Sequence, residues 1–417
     1  MPSKADNLLL RLLWSEPRWV LREFECTDGR RLTVESAGEP DSERGIMHGA
    51  RVVVDGERLC GDILLGDDRS AAEHCIARFT ATAECGVALD GGGRMLPVVR
   101  VTIPDAVRRE YNRLVSGSSD FYCGERLQRL DSLHRSDLFT GLFFDRISRK
   151  YGDLERIFIS CDGDWNQTFY TMLMRVMGDV KNRDAYMRLA GMVPVRYLQR
   201  ERESLVAIEA MLLGASGLLD MYEEDEYVSR LKSEFYYLRH KYTLQAMHQS
   251  DWDLVRVNPR NHPVLRLAQI AAFVHLGDFS FSKAIECRTS DDVASMFAVE
   301  ASDYWTNHSL PARLSGSSVK RLGRGKTDLI AINLIVPFQF FYSARMDREE
   351  LRGRAIDLLE NIRAEDNSII RGWRNAGVPV CSAFDSQALL QLYNEYCKSG
   401  RCDECLFGRR AIKKALR

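Results

Sequence analysis

The sequence predicts an α+β protein, with a small β-rich N-terminal domain over residues 1–105 and a larger, mostly α-helical domain over residues 106–417. Short β-rich runs separated by glycine-containing turns occupy the chain as far as Pro104. After Pro104, apolar residues recur at three- and four-residue spacing, which is the period of an amphipathic helix. No internal repeat of about 20–50 residues is present, so a solenoid is not predicted.

The N-terminal elements are a short helix, predicted over residues 7–14, and a series of strands. Strands are predicted in WVLREFEC (19–26), RLTVES (31–36), HCIARFTATA (74–83) and MLPVVRVTI (95–103). The segment RVVVDGERLCGDILL (51–65) predicts a hairpin, because Asp55-Gly56 is a dipeptide that suits a type I′ turn between two β-rich runs.

The helical pattern follows in eight segments, at residues 106–115, 127–150, 165–178, 185–193, 203–214, 227–246, 264–277 and 347–363. Gly214, Pro263 and Gly277 are predicted to mark helix boundaries. Two segments rich in Ser and Gly, residues 116–119 and 315–326, are predicted to be exposed loops.

Composition excludes several classes of protein. The 417 residues are 45% hydrophobic and 28% charged, which are globular values. Lys and Arg number 58 against 59 Asp and Glu, so the chain is not a globally basic nucleic-acid binder, although a local basic patch is allowed.

The sequence also gives expectations about location. The apolar stretch at the N-terminus is interrupted by Arg11 and is too short for the core of an export signal. Eleven cysteines without such a signal indicate a reducing compartment, so a cytoplasmic protein is expected. The apolar run 329–342 contains Asn333 and Pro337 and is shorter than the roughly 18 residues of a membrane span, so it is predicted to be a buried core segment and no membrane partner is expected.

Three cysteines near the C-terminus have the spacing of a metal site. Cys397, Cys402 and Cys405 form C-x4-C-x2-C, in which a C-x2-C pair can place two thiolates on one metal ion. Zinc or an iron–sulfur cluster is predicted, and spacing alone does not separate the two. A fourth ligand is needed, and Cys381 is the nearest candidate in the sequence. A redox or disulfide role and three inert thiols are the alternatives.

A loop between Pro311 and Thr327 has basic residues and no acidic one. Its glycines allow close backbone approach, so the loop is a candidate for binding phosphate. It is not a Walker A motif, because Lys320 stands where that motif needs glycine. A solvated loop is the alternative. The candidate binding residues are Arg313, Lys320, Arg321, Arg324 and Lys326.

Four polar residues interrupt apolar helical segments: Glu209, Arg266, Gln269 and Asn333. A polar group buried in such a segment needs a partner. Internal hydrogen bonds, with a Glu209–Arg266 ion pair, are the interpretation we favour. A ligand pocket between helices is the alternative.

Together these segments resemble an uncharacterised bacterial family, of about the length of this chain, known only as a domain of unknown function. The resemblance rests on DWNQTFY (164–170), IEAMLLGASGLL (208–219), FYYLRHKYTL (235–244), NPRNHPVLRLAQIAAF (258–273), YWTNH (304–308), GKTDLIAINLIVP (325–337), EDNSIIRGW (365–373), SQALLQLYNEYC (386–397) and CDECLFG (402–408). It implies membership of the family but no activity.

The N-terminal part resembles a degenerate restriction-endonuclease-like, PD-(D/E)xK core. Such nucleases hold Mg²⁺ with two carboxylates and use a lysine to help activate water. Along this resemblance Ile46 and Leu64 stand at the acidic positions, and no lysine occurs between Lys4 and Lys150. Asp41 and Asp62 remain as candidate catalytic carboxylates, with an arginine in place of the lysine.

The resemblance therefore implies a nucleic-acid-associated binding or accessory protein whose nuclease-like domain is catalytically degenerate. One alternative is an active metal-dependent nuclease with a rearranged site. The other is a protein-interaction scaffold without nucleic-acid affinity, and the sequence indicates no particular protein partner.

Overall fold

The structure, a computed structural model, describes residues 4–41, 45–66, 75–81, 89, 93–116, 121–276 and 279–416. The chain forms two compact units. Unit 1 consists of Met1–Leu142, Ser368–Pro379 and Leu389–Arg417, and unit 2 consists of Phe143–Asn367 and Val380–Ala388. The protein is of the α+β class, which confirms the predicted fold class.

Unit 1 contains a mixed, curled sheet. Its strands are β1 Glu23–Glu25, β2 Arg31–Ser36, β3 Glu39–Pro40, β4 Ile46–Val54, β5 Glu57–Leu65, β6 Cys75–Thr80 and β7 Val98–Arg100. They follow the order β1-β2-β4-β5-β6-β7, with β3 paired to β4. The β5–β6 and β6–β7 pairs are parallel and the other pairs are antiparallel. A bridge between Cys26 and Val99 joins the two ends of this path, so the sheet curls back on itself.

The hairpin β4–β5 forms as its sequence predicts. Asp55 and Gly56 have φ values of +48° and +92°, which is the pair of positive φ angles that a type I′ turn requires. Segment 19–26 is a strand only at Glu23–Glu25, because Pro17 begins a short helix that continues to Val20. Proline suits the first turn of a helix, where its missing N–H costs nothing.

The remaining elements are helices and one small strand pair. The α-helices are α1 Lys4–Trp14, α2 Pro17–Val20, α3 Asp105–Val115, α4 Gly124–Gln128, α5 Ser132–Ser160, α6 Trp165–Met177, α7 Arg183–Met192, α8 Val195–Arg200, α9 Leu205–Ala215, α10 Glu226–Tyr242, α11 Pro263–Leu276, α12 Phe281–Glu286, α13 Ser290–Met296, α14 Arg324–Ile330, α15 Val336–Met346, α16 Glu350–Asn361, α17 Ser368–Asn375, α18 Ala383–Gln391 and α19 Leu406–Lys414. Strands β8 His308–Leu310 and β9 Arg313–Leu314 pair with each other. Two π-helical turns cover Ala331–Ile335 and Leu392–Cys397.

The core of unit 1 lies between the sheet and helices from both ends of the chain. Trp14 of α1 packs edge-on against Phe79 of β6, with ring centroids 4.6 Å apart. Val107 of α3 and Ile412 of α19 are fully buried in the same core. The unit that holds the sheet therefore extends beyond residue 105, where the sequence predicted its boundary, because α3 and α19 bury their apolar faces in it.

Unit 2 is built around α9 and α11, whose residues are buried from Ala207 to Ala215 and from Pro263 to Val274. Pro263 begins a helix as predicted, and α9 ends at Ala215, one residue after Gly214. A Cβ at Gly214 would lie 2.2 Å from the ring of Phe235, so glycine allows α9 and α10 to pack closely. Gly277 and residues 117–119, also singled out in the sequence, lie outside the described residues.

The apolar run in the sequence belongs to a continuous helical stretch, Arg324–Met346, made of α14, a π turn and α15. By length and composition alone it could cross a membrane, and it is the one such helix among the described residues. In the structure 67% of its most apolar window is buried. Core helices pass the same test of length and composition.

Candidate anion-binding pocket and cysteine cluster

Unit 2 contains a basic cavity of about 490 Å³, which we call the cationic pocket. Five basic and two acidic side chains line it, together with Asn333 and several apolar residues. The basic residues are Arg146, Arg149 and Lys150 of α5, Arg175 of α6 and Arg183 of α7, and the acidic residues are Asp153 and Asp179. A concave surface with such an excess of one charge concentrates ligands of the opposite charge.

Neutral acceptors hold Lys150 in this pocket. Its Nζ donates to the Ile332 carbonyl oxygen at 3.3 Å, to Asn333 Oδ1 at 3.2 Å and to Gln387 Oε1 at 3.3 Å. The side chain is partly exposed along its length, but protein atoms enclose the ammonium. The position of Asn333 on a π turn is in keeping with the frequent use of π turns at functional sites.

The surroundings of Lys150 disfavour its charged form. Loss of solvent lowers the pKa of Lys150 well below its ordinary value, and the positive charges of Arg146, Arg175 and Arg149 lower it further. The negative charge of Glu365 opposes this effect but does not reverse it. An anion in the pocket would supply the missing counter-charge.

The two carboxylates of the pocket are already engaged. Asp153 Oδ2 lies 3.4 Å from Arg175 Nη2. Asp179 Oδ1 lies 2.5 Å from Nζ of Lys326, which also donates to the Val176 carbonyl oxygen at 2.8 Å. These pairs reduce the acidic character of the pocket lining.

Sequence reasoning found only Asn333 among the residues of the pocket. The signal that could have found the others is the spacing of Arg146, Arg149 and Lys150, which places three cations on one face of α5. Like charges at this spacing destabilise an isolated helix. Interactions outside the helix must therefore offset the repulsion among these three cations.

In the basic loop predicted to bind phosphate, three of the five basic side chains pair with acidic residues. Arg321 pairs with Glu300 at 3.0 Å, and Arg324 pairs with Asp291 at 2.5 Å. Lys326 is buried against Asp179, Lys320 donates to Ser318 Oγ, and Arg313 lies exposed on β9. Phosphate bound at the loop would compete with these carboxylates for Arg321, Arg324 and Lys326.

The buried polar residues form internal hydrogen bonds, but the predicted Glu209–Arg266 ion pair does not form. Arg266 donates to Gln269 Oε1 at 2.9 Å and to Asn261 Oδ1 at 2.6 Å, and Gln269 donates to the Lys320 carbonyl oxygen at 3.2 Å. Arg266 thus donates through Nη1 and Nη2 to neutral amide oxygens and does not pair with Glu209.

Glu209 is fully buried and faces hydroxyl and indole groups instead. Ser302 Oγ donates to Glu209 Oε1 at 2.8 Å, and Oε2 has no hydrogen-bond partner among the described residues. Burial raises the pKa of Glu209 to about 7, although the polar groups of Ser302, Tyr227 and Trp305 oppose the rise. This carboxyl is therefore close to half-protonated at neutral pH.

The C-terminal cysteines lie together in unit 1, and a fourth cysteine joins them. One small cavity is lined by Cys397, Cys402, Cys405 and Cys123, which the sequence did not single out. Cys381, the predicted fourth ligand, belongs to unit 2 and is exposed. Burial raises the pKa of the Cys123 thiol to about 12 and that of Cys402 to about 11.

The candidate nuclease carboxylates lie on the sheet of unit 1. Asp62 Oδ2 lies 2.9 Å from His48 Nδ1, and Asp41 Oδ2 lies 3.8 Å from His48 Nε2. Ile46 and Leu64, which occupy the acidic positions of the resemblance, are directly paired across β4 and β5. Leu64 is buried in a small apolar cluster, so a metal ion has no ligands at that pair.

The structure is that of an α+β protein with two compact units, one of which contains a cavity lined mainly by basic side chains. The chain belongs to the family described as protein of unknown function (DUF2851), whose profile matches residues 87–368. The match includes the cationic pocket but neither strands β1–β6 nor the C-terminal cysteines, so the nuclease resemblance of the N-terminal part is not confirmed. No curated protein and no solved structure matches the chain.

Proposed function

We propose that this protein binds nucleic acid through a backbone phosphate taken up in the cationic pocket, and that its role is binding or accessory and not cleavage. The observation that supports this proposal is the excess of five basic over two acidic side chains around Lys150. A phosphate group would add anionic acceptors to a lining in which basic side chains outnumber acidic ones.

The size of the pocket favours a single strand or a strand end. A cavity of about 490 Å³ is of the size that takes a small ligand. A duplex presents its phosphates on a broad convex surface, which does not enter such a cavity. A flexible single strand can place one phosphate inside, with neighbouring groups at the mouth.

The test is the affinity for labelled single-stranded DNA and RNA oligonucleotides, measured by fluorescence anisotropy across a salt series. Arg149→Ala with Arg183→Ala should weaken binding and reduce the slope of log affinity against log salt by about one for each phosphate contact removed. The matched control is Arg313→Ala with Arg321→Ala, which removes the same charge from the basic loop and should leave the slope unchanged.

Two results would contradict the proposal. A slope lowered by the loop variant and not by the pocket variant would assign the phosphate contact to the loop. Absence of binding even at low salt would remove nucleic acid as the partner and favour the protein-interaction scaffold.

A second candidate function, metal-dependent cleavage, is favoured by one observation. Asp41 and Asp62, distant in the sequence, both face His48, and the Gly49 N–H donates to Asp62 Oδ1 at 3.2 Å. If Asp41, Asp62 and His48 form a catalytic site, the protein should release nucleotides from DNA or RNA when Mg²⁺ or Mn²⁺ is added. Asp62→Ala should abolish that release. Unchanged release in that variant would exclude these carboxylates.

A further inference from the structure

One tight reversal of the chain in unit 1 brings three thiols together. Cys397 ends the π turn that follows α18, and Cys405 is the N-cap residue of α19. Between them the chain turns at Gly400, whose φ is +65° and whose N–H donates to the Cys397 carbonyl oxygen at 3.1 Å. A left-handed residue at this point is what lets so short a segment reverse.

Close packing fixes the middle cysteine of this reversal. A Cβ at Gly408 would lie 1.9 Å from the Cys402 carbonyl oxygen, so the first turn of α19 rests directly on the Cys402 backbone. Cys402 Sγ also lies 3.7 Å from the Leu114 carbonyl oxygen of α3. The segment is therefore held in place by α19 and α3.

The fourth thiol comes from a remote part of the sequence. Cys123 is the N-cap residue of α4 and lines the same cavity as Cys397, Cys402 and Cys405. None of the four forms a disulfide bond, and no carboxylate is among the described residues that line the cavity. Four thiols at one cavity match the ligand number of a closed structural metal site.

We propose that Cys123, Cys397, Cys402 and Cys405 together bind one Zn²⁺ ion, with Cys123 as the ligand that completes the set. The cavity that they help to line measures about 20 Å³, which is about the room of one atom-sized group and favours a single ion over an iron–sulfur cluster. In the part of the chain that the structure describes, no three His, Cys, Asp or Glu side chains already stand in metal-binding geometry. Binding thus requires the thiols to rotate about their Cα–Cβ bonds and to release their protons.

The experiment is elemental analysis of the full chain, purified anaerobically and without chelator. Zinc at one ion per chain is expected, with loss of the metal in Cys123→Ser. Cys381→Ser is the matched control, because it removes a cysteine of the C-terminal part that lies outside the cavity, and it should keep the zinc. If Cys381→Ser keeps one zinc ion per chain and Cys123→Ser does not, Cys123 is the fourth ligand.

A second variant separates ligation from folding. Cys123→His keeps a zinc ligand at the position, so it should retain one ion. After exchange of zinc for Co²⁺, the sulfur-to-cobalt absorption should be weaker in Cys123→His than in the parent chain, because one thiolate is lost. Equal absorption would show that Cys123 is not a ligand.

Three outcomes would overturn the proposal. Metal-free protein would show that these cysteines form no metal site. Zinc retained in Cys123→Ser would show that Cys123 is not a ligand. Iron with acid-labile sulfide in place of zinc would show that the site holds an iron–sulfur cluster and not a single zinc ion.

Discussion

The buried carboxyl of Glu209 makes the stability of unit 2 depend on pH, and Glu209→Gln should remove that dependence. Glutamine has the same shape and still accepts the hydrogen bond from Ser302 Oγ, but it cannot ionise. The change therefore isolates the cost of burying the negative charge.

The magnitude follows from the rise in the pKa of Glu209 from 4.5 to about 7, which burial causes. Between these two pH values the folded chain keeps a proton that the unfolded chain has lost, so stability falls as pH rises through this window. The loss amounts to about 3 kcal/mol and is complete above pH 7. Glu209→Gln should be more stable than the parent by up to about 3 kcal/mol at alkaline pH, and by less than about 1 kcal/mol near pH 5.

Urea denaturation midpoints at pH 5 and pH 8, converted with the measured slopes, test this expectation. Glu203→Gln is the matched control, because its side chain is 89% exposed and its midpoint should follow the parent at both pH values. An equal gain for Glu209→Gln at both pH values, or none at pH 8, would show that Glu209 ionises at its ordinary pKa and would refute the reasoning.

Two further predictions concern the pocket and the helix packing. Sulfate, whose charge is constant across neutral and alkaline pH, should bind more weakly as pH rises, because a bound anion raises the lowered pKa of Lys150 and the complex takes up a proton. Isothermal titration calorimetry should show this trend in the parent chain, and a trend unchanged in Lys150→Met would contradict it. Gly214→Ala should destabilise the chain by about 1–3 kcal/mol through its contact with Phe235. Gly191→Ala, in open space on α7, should stabilise it by up to about 1 kcal/mol, and equal urea midpoints for the two variants would contradict the packing argument.

Local chemistry explains what the sequence predicts well. The β4–β5 hairpin depends on Asp55-Gly56 and on alternating apolar residues, both of which lie within one short segment. The buried helices α9 and α11 are apolar on all faces, so their place in a core is also readable from composition. Gly214 lies one residue before the end of α9, as the sequence predicts, but its close contact with Phe235 on α10 could not be read from the sequence.

The sites depend on contacts between distant segments, and the sequence shows those contacts poorly. The cationic pocket needs α5, α6 and the π turn at Asn333 to pack together, and each contributes only one to four of its residues. The basic loop was conspicuous because its charges lie within one short segment of the sequence, although acidic residues elsewhere pair with several of them. Cys123 was overlooked because a lone cysteine is most often a small core residue.

Unit 1 contains segments from both ends of the chain, and this affects how it can fold during synthesis on the ribosome. Ile412 fills part of the core beneath the sheet, and the segment Leu389–Arg417 is made long after the strands. Part of the apolar face of the sheet is therefore expected to stay uncovered while unit 2, which lies between these segments in the sequence, is synthesised. The part of this core that α19 covers should therefore become protected from solvent only after α19 has left the exit tunnel.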